Sequence, residues 1–208
     1  MTLLAFLLLS FAAQSGQPVE PTEDHRSRQE LEKTLQIIAQ RDYPEHDLRR
    51  FLFVSVARQR MYLVEEGRVR RTFTVSTSKN GVGNLKGSEK TPPGLHEVCA
   101  KHGDDVPLGG IFKGRVYTGE QAEILQDGTD LDSDDVTTRV LRLCGREPGR
   151  NKGGRVDTFQ RMVYIHGTPE EGLLGRPASD GCVRMKNSEV IKLYEMVEVG
   201  IPVLILEL

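Results

Sequence analysis

The spacing of apolar residues changes several times along the chain, and each change marks an element. Leu3 to Ala13 (LLAFLLLSFAA) is an unbroken apolar run of the length of a secretory h-region, too short to span a bilayer. Polar and Pro-containing sequence from Gln14 to Asp24 follows at once, which argues against a buried strand. Between Arg26 and Gln40, Leu31, Leu35 and Ile38 recur on one stripe with Glu and Arg opposite, predicting an amphipathic helix that packs on the domain. From Arg50 the period drops from 3.6 to 2. Phe51–Ala57, Arg60–Glu65 and Val69–Ser76 read as three successive strands, with Glu66-Gly67 as a tight turn between the last two. Leu95–Ala100, Thr137–Leu143, Met162–His166 and Pro202–Leu206 are further strand candidates. A late helix is expected from Ser188 to Val197, capped by Asn187, with Ile191 and Tyr194 towards the core. Many short strands with one late helix predict a mainly β (α+β) architecture.

Two stretches break the pattern. Ser78 to Lys90 is Gly-rich and contains Gly81-Val82-Gly83, but Pro92 and Pro93 prevent a following helix, so a dinucleotide fingerprint fails its context. Lys101 to Val136, rich in Gly and Asp, is expected to be a large irregular excursion that covers or lines a site. Inside it Asp130, Asp132 and Asp134 imitate the start of a calcium loop. Asp135 stands where that loop needs Gly, and Leu141 where it needs a bidentate Glu, so a solvated acidic loop is expected instead.

At 208 residues the chain can bury one domain well. A net charge of −2 argues against a nucleic-acid partner, and the arginines between Arg49 and Arg71 alternate with apolar residues as on a solvated strand face. The apolar leader predicts export, to the periplasm or cell envelope. Ala13 and Ser15 suit a cut after Ser15, giving a signal peptide over residues 1–16 and a linker with the amphipathic helix over 17–47. The leader's start carries no Lys or Arg, so an upstream start or an uncleaved anchor stays open. No later segment is apolar enough for a membrane span, and no Cys near the cut offers a lipid site.

The chemistry concentrates between Tyr164 and Met185 (YIHGTPEEGLLGRPASDGCVRM). His166 ends a strand, and Cys182 follows sixteen residues later beside Gly181. A thiol must lose its proton before attacking a carbonyl, and an imidazole within hydrogen-bond reach removes it near neutral pH. The imidazole's other nitrogen needs a partner, for which a backbone carbonyl serves. Gly181 allows close approach, and the amides around Gly181 and Cys182 are natural oxyanion donors. Cys99 and Cys144 either pair, leaving Cys182 free, or stay as two buried thiols. A zinc site on His166 and Cys182 lacks usual ligand spacing, and no metal or other cofactor is expected.

This segment resembles the active-site motif of the L,D-transpeptidase (YkuD) family, His-Gly, a spacer, then Ser-His-Gly-Cys-Val/Ile-Arg, through His166, Gly167, Ser179, Gly181, Cys182, Val183 and Arg184. The hairpin VARQRMYLVEEGRVRRTFTVSTS, the turn Lys90-Thr91-Pro92-Pro93-Gly94 and the closing helix and strand also resemble that family. The likeness covers essentially Leu48 to Leu208. It implies a β-sandwich or barrel with the N-terminal helix and the late helix packed on the sheet, and a catalytic domain over 48–208. It implies Cys182 as nucleophile and His166 with Gly167 as its base. Ser179, Asp180, Gly181 and Arg184 would serve substrate or oxyanion. The partners implied are peptidoglycan stem peptides as donor and acceptor: D-alanine leaves an acyl-enzyme, which an amine or water resolves. Asp180 departs from the family's usual His. Its charge either disfavours the Cys182 thiolate, orients a substrate amine or pairs with Arg184; Arg184 itself meets either a substrate carboxylate or a structural acid. Sortase-like enzymes space His and Cys farther apart, and papain-like wall peptidases place Cys before His. A non-catalytic wall-binding relative is the reading from another class.

Overall fold

The computed structural model describes residues 25–131 and 133–208; the apolar leader, the linker before the helix and Asp132 lie outside the described residues. Helix α1 (His25–Asp42) runs slightly beyond its predicted ends and buries Leu31 and Leu35. It is pinned by Glu32, whose carboxylate accepts the Val69 N–H at 2.9 Å and pairs with Arg68 at 2.9 Å.

Strands β1 (Arg50–Ser55), β2 (Arg60–Glu65) and β3 (Arg68–Ser76) form the expected antiparallel meander. Glu66 and Gly67 both take left-handed φ, 49° and 71°, which is what a two-residue turn matched to strand twist requires. Successive residues of β1 face different layers. Leu52 and Val54 join the central core, while Phe51 and Phe53 join a second cluster under α1. The arginines of this region lie along the surface opposite acids: Arg49 pairs with Asp47, and Arg50 and Arg70 with Glu65.

Then follow β4 (Gly94–His102), β5 (Gly110–Lys113), β6 (Val116–Gln121), β7 (Val136–Gly145), β8 (Tyr164–Gly167), β9 (Val183–Met185), α2 (Asn187–Met196) and β10 (Pro202–Leu206). From β4 the order runs through β10, β1, β2, β3, β9 and β8 to β7, and β7 pairs back onto β4, closing the sheet like a barrel. The fold is mainly β, as the strand pattern implied.

Three expectations are corrected. The 101–136 excursion is not wholly irregular: β5 and β6 form a hairpin on β7, turned at Gly114 and Arg115, both with φ above +50°. Asn187 is the first residue of α2 rather than its cap; Lys186 holds the cap position without a side-chain bond, and the Asn187 side chain turns inward. On α2 the buried apolar residues are Val190, Leu193 and Tyr194, and Ile191 is only half-buried.

Cys99 and Cys144 form a disulfide across β4 and β7, with Cα atoms 5.8 Å apart, and Cys182 is free. His96, fully buried on β4, donates from Nδ1 to the Gly94 carbonyl at 3.0 Å and accepts from Thr158 Oγ1 at Nε2 at 3.1 Å. Burial lowers this imidazole from 6.5 to about 4. Below pH 6.5 the unfolded chain takes a proton that the native state refuses, so the native state is favoured fully above pH 6.5 and loses ground as pH falls towards 4. The loss amounts to about 3 kcal/mol at 1.36 kcal/mol per pKa unit. Urea midpoints measured from pH 8 to pH 4 should drop through that window, and should drop less in His96→Gln.

Candidate active site

Two short parallel strands build the site. β8 and β9 pair as Ile165↔Val183, His166↔Arg184 and Gly167↔Met185, and Cys182 lies one residue before β9. The Tyr164 N–H donates to Cys182 Sγ at 3.4 Å. The pairing therefore brings together the motif's two ends across the fourteen residues of 168–181.

The turn before Cys182 is held by small polar side chains. Ser179 Oγ donates to the Cys182 carbonyl at 2.6 Å and accepts the Gly181 N–H at 3.3 Å, while Thr91 Oγ1 donates to the Gly181 carbonyl at 3.1 Å. Gly181 has φ of 120°, a conformation that side-chain-bearing residues avoid. Ser179 is fully buried, so its hydroxyl shapes the turn rather than meeting a ligand, and the Gly181 amide expected as an oxyanion donor is already directed at that hydroxyl.

His166 is fully buried. Its Nδ1 lies 2.7 Å from the Gly167 carbonyl, which can only accept, so Nδ1 carries the proton of the neutral ring. Nε2 is then the basic nitrogen; it is buried and has no hydrogen-bond partner among the described residues. Gly167 leaves no room for a side chain, because a Cβ there would collide with Asn187 Oδ1. That oxygen accepts from Thr137 Oγ1 at 2.7 Å and Thr138 Oγ1 at 2.5 Å, and Asn187 Nδ2 donates to the Thr168 carbonyl at 2.7 Å.

The hydrogen bond expected between His166 and Cys182 is absent. The sulfur receives the Tyr164 amide and is directed at the Met162 carbonyl, 3.7 Å away. Burial, and then the Asp134 carboxylate, push the thiol up to about 12, against the Tyr164 amide and the cations Arg184 and Arg161. Burial also lowers the His166 imidazole, opposed by the Asp134 carboxylate and the Gly167 carbonyl. The resting pair is thus neutral thiol and neutral imidazole.

Arg184 is 3% exposed and lies between two acids. Its Nε meets Asp134 Oδ1 at 2.8 Å and its Nη1 meets Glu170 Oε2 at 2.7 Å. It takes the structural alternative, with its guanidinium engaged away from any ligand. Asp134, expected in a solvated loop, is turned inward and also accepts the Asp180 N–H at 3.0 Å. Asp180 does not pair with Arg184. Its carboxylate is exposed and meets Lys79 at 2.9 Å, and the acid that opposes the thiolate is Asp134. Glu170, Asp134, Lys79 and Asn187 carry no local motif; they were missed because their partners are distant in sequence.

Cys182 opens onto a cleft of about 270 Å³, flanked by Arg161, Met162, Asp180 and the 86–89 loop. Larger grooves of about 530 and 630 Å³ are lined by residues around α1 and β1 and share none with this cleft. Phe112 of the β5–β6 hairpin belongs to the small apolar cluster that Cys182 packs against, but no described residue of the 101–136 excursion borders the cleft itself.

A family model described as the L,D-transpeptidase catalytic domain, YkuD, matches residues 49–205. A curated Bacillus subtilis protein, "Putative L,D-transpeptidase YqjB", is 31% identical over 110 residues, covering 49% of this chain and 61% of that protein. The chain thus matches less than two thirds of that relative's length. An L,D-transpeptidase structure from Xylanimonas cellulosilytica aligns with a TM-score of 0.48 at 20% identity, over 76% of this chain and 60% of the other. One from Mycobacterium smegmatis gives 0.46 at 20%, over 76% and 58%.

A thiol held near 12 should react slowly at neutral pH. Iodoacetamide modification of Cys182 should accelerate about tenfold per pH unit from pH 7 to 9.5 with no plateau. Asp134→Asn removes the opposing charge and should raise the rate at pH 8; a plateau near pH 7 in the wild type would contradict the assignment.

Proposed function

The chain belongs to the YkuD family of L,D-transpeptidase catalytic domains, and from that premise we propose that it is an exported cysteine acyltransferase acting on peptidoglycan stem peptides. The observation that carries the reading is a free Cys182 at a cleft, one residue before the strand that pairs with β8, which carries a buried imidazole whose Nδ1 is committed to Gly167 and whose Nε2 has no partner among the described residues. Rotation of the Cys182 side chain from Met162 towards Nε2 is the step that would make the pair reactive.

Cys182 Sγ then forms a bond to the carbonyl carbon preceding the terminal D-alanine as its proton passes to His166 Nε2. The C–N bond breaks, the imidazolium returns that proton to the departing amine, and a thioester remains on Cys182. An acceptor amine from a second stem attacks the thioester and gives its proton to Nε2; the C–S bond breaks, the imidazolium returns that proton to the sulfur, and the new amide leaves with the thiol restored. The Asp134 carboxylate opposes a resting thiolate but favours the imidazolium formed during transfer. A pair in this environment works through coupled proton transfer rather than a standing ion pair.

Export is supported by the apolar leader and by the Cys99–Cys144 disulfide, since such bonds persist in oxidising compartments. Purified protein given a disaccharide tetrapeptide should release D-alanine and form a cross-linked dimer, read by mass spectrometry. Cys182→Ala should abolish both, and His166→Gln should lower the rate by at least about a hundredfold. Tripeptide alone would mean that water is the acceptor. No product from the wild type would leave a non-catalytic wall-binding role, and equal product from Cys182→Ala would remove Cys182 as the nucleophile.

A further inference from the structure

Arg161 is a cleft residue that the acyl-transfer steps leave unused. It stands in the turn before β8, where its N–H donates to the Asp157 carbonyl at 3.0 Å and the next residue, Met162, takes a left-handed φ of 58°. Its guanidinium is braced by two backbone carbonyls, Nη1 to Gly83 at 2.9 Å and Nη2 to Lys90 at 2.5 Å. Both carbonyls belong to the Gly-rich loop that had suggested phosphate binding. The Lys90 carbonyl lies 3.4 Å from where a Cβ on Gly181 would stand, so the guanidinium is anchored beside the nucleophile turn.

Those anchors are dipoles, not charges. Among the described residues no carboxylate pairs with Arg161, whereas Arg184 has two and Arg50, Arg68 and Arg146 each have one. Arg161 is nevertheless half-buried, where an uncompensated cation is costly. A guanidinium carries five N–H donors in a planar fork matched to a carboxylate, and the two carbonyls occupy only part of it. The cleft's other charges are mixed: Lys86 and Glu89 both border it and Asp180 is paired with Lys79, so what sets Arg161 apart is that it is half-buried and braced by carbonyls beside the Cys182 turn.

We propose that Arg161 is the carboxylate-binding residue of the Cys182 cleft, seating the free carboxylate of a peptide next to the bond that Cys182 attacks. The word peptide rests on the acyl-transfer reading; the carboxylate preference of the cleft does not.

Iodoacetate and iodoacetamide separate the two, because they share a leaving group and differ as carboxylate and amide. Rates of Cys182 modification are measured for both reagents on the full chain, in the wild type, Arg161→Gln and Arg161→Lys. The iodoacetate-to-iodoacetamide ratio should fall about tenfold in Arg161→Gln, the loss of one charge-assisted hydrogen bond, and be largely kept in Arg161→Lys. A shifted thiol pKa, or a role confined to bracing the loop, changes both rates together and leaves the ratio unchanged; that result would overturn the proposal. Should Arg161→Gln fail to fold, N-acetyl-D-alanine and its amide are compared as protectants of wild-type Cys182 against iodoacetamide. Protection by the acid alone supports the assignment, and equal protection or none overturns it. Neither measurement needs turnover. Carboxylate selectivity without product formation removes only the transpeptidase reading, and product formation without selectivity removes only this one.

Discussion

The hydrogen bond from His166 Nδ1 to the Gly167 carbonyl fixes the imidazole's tautomer, and with it which ring nitrogen is left to accept a proton. A carbonyl oxygen cannot donate, so the neutral ring presents its lone pair at Nε2. The bond in turn needs a backbone that can lie directly against Asn187. Only glycine allows that at position 167, and Asn187 is itself tied to Thr137, Thr138 and Thr168. A base on β8 is thus positioned by the hydrogen-bonding capacity of β7 and of the first residue of α2.

Charge around the pair is arranged by Arg184. Its guanidinium joins Asp134, from the end of the excursion, to Glu170, from the loop between β8 and β9. Breaking such a buried arrangement by removing one partner costs about 3–5 kcal/mol in general, because the others are left charged and unpaired. Asp134 has a second part: it accepts the Asp180 amide and so holds the turn that carries the nucleophile. One carboxylate therefore secures the loop geometrically and biases the electrostatics against thiolate and towards imidazolium.

Much of this was legible in the chain where physical signals are local. The meander β1–β3 declares itself through alternation and a Glu-Gly turn, and α1 through its Leu31–Leu35 stripe. The motif from His166 to Arg184 and its flanks marked the family. The β5–β6 hairpin was hidden because its turn uses Arg115 in a left-handed conformation that arginine does not signal. Asn187 resembled a cap because that residue type often is one, yet its side chain is drawn inward by hydroxyls some fifty residues away. Asp134 looked like one more solvated acid in a run of aspartates until Arg184 claimed it. Arg161 had no motif, since its position depends on carbonyls of a loop 71 and 78 residues earlier.

The central claim is a neutral imidazole with its proton on Nδ1 and its lone pair on Nε2. Nitrogen-15 chemical shifts of the His166 ring at pH 7 report this directly. The account predicts a pyrrole-type signal at Nδ1, coupled to a proton, and a pyridine-type signal at Nε2. Protonation of Nε2, as the other tautomer or as imidazolium, would contradict it.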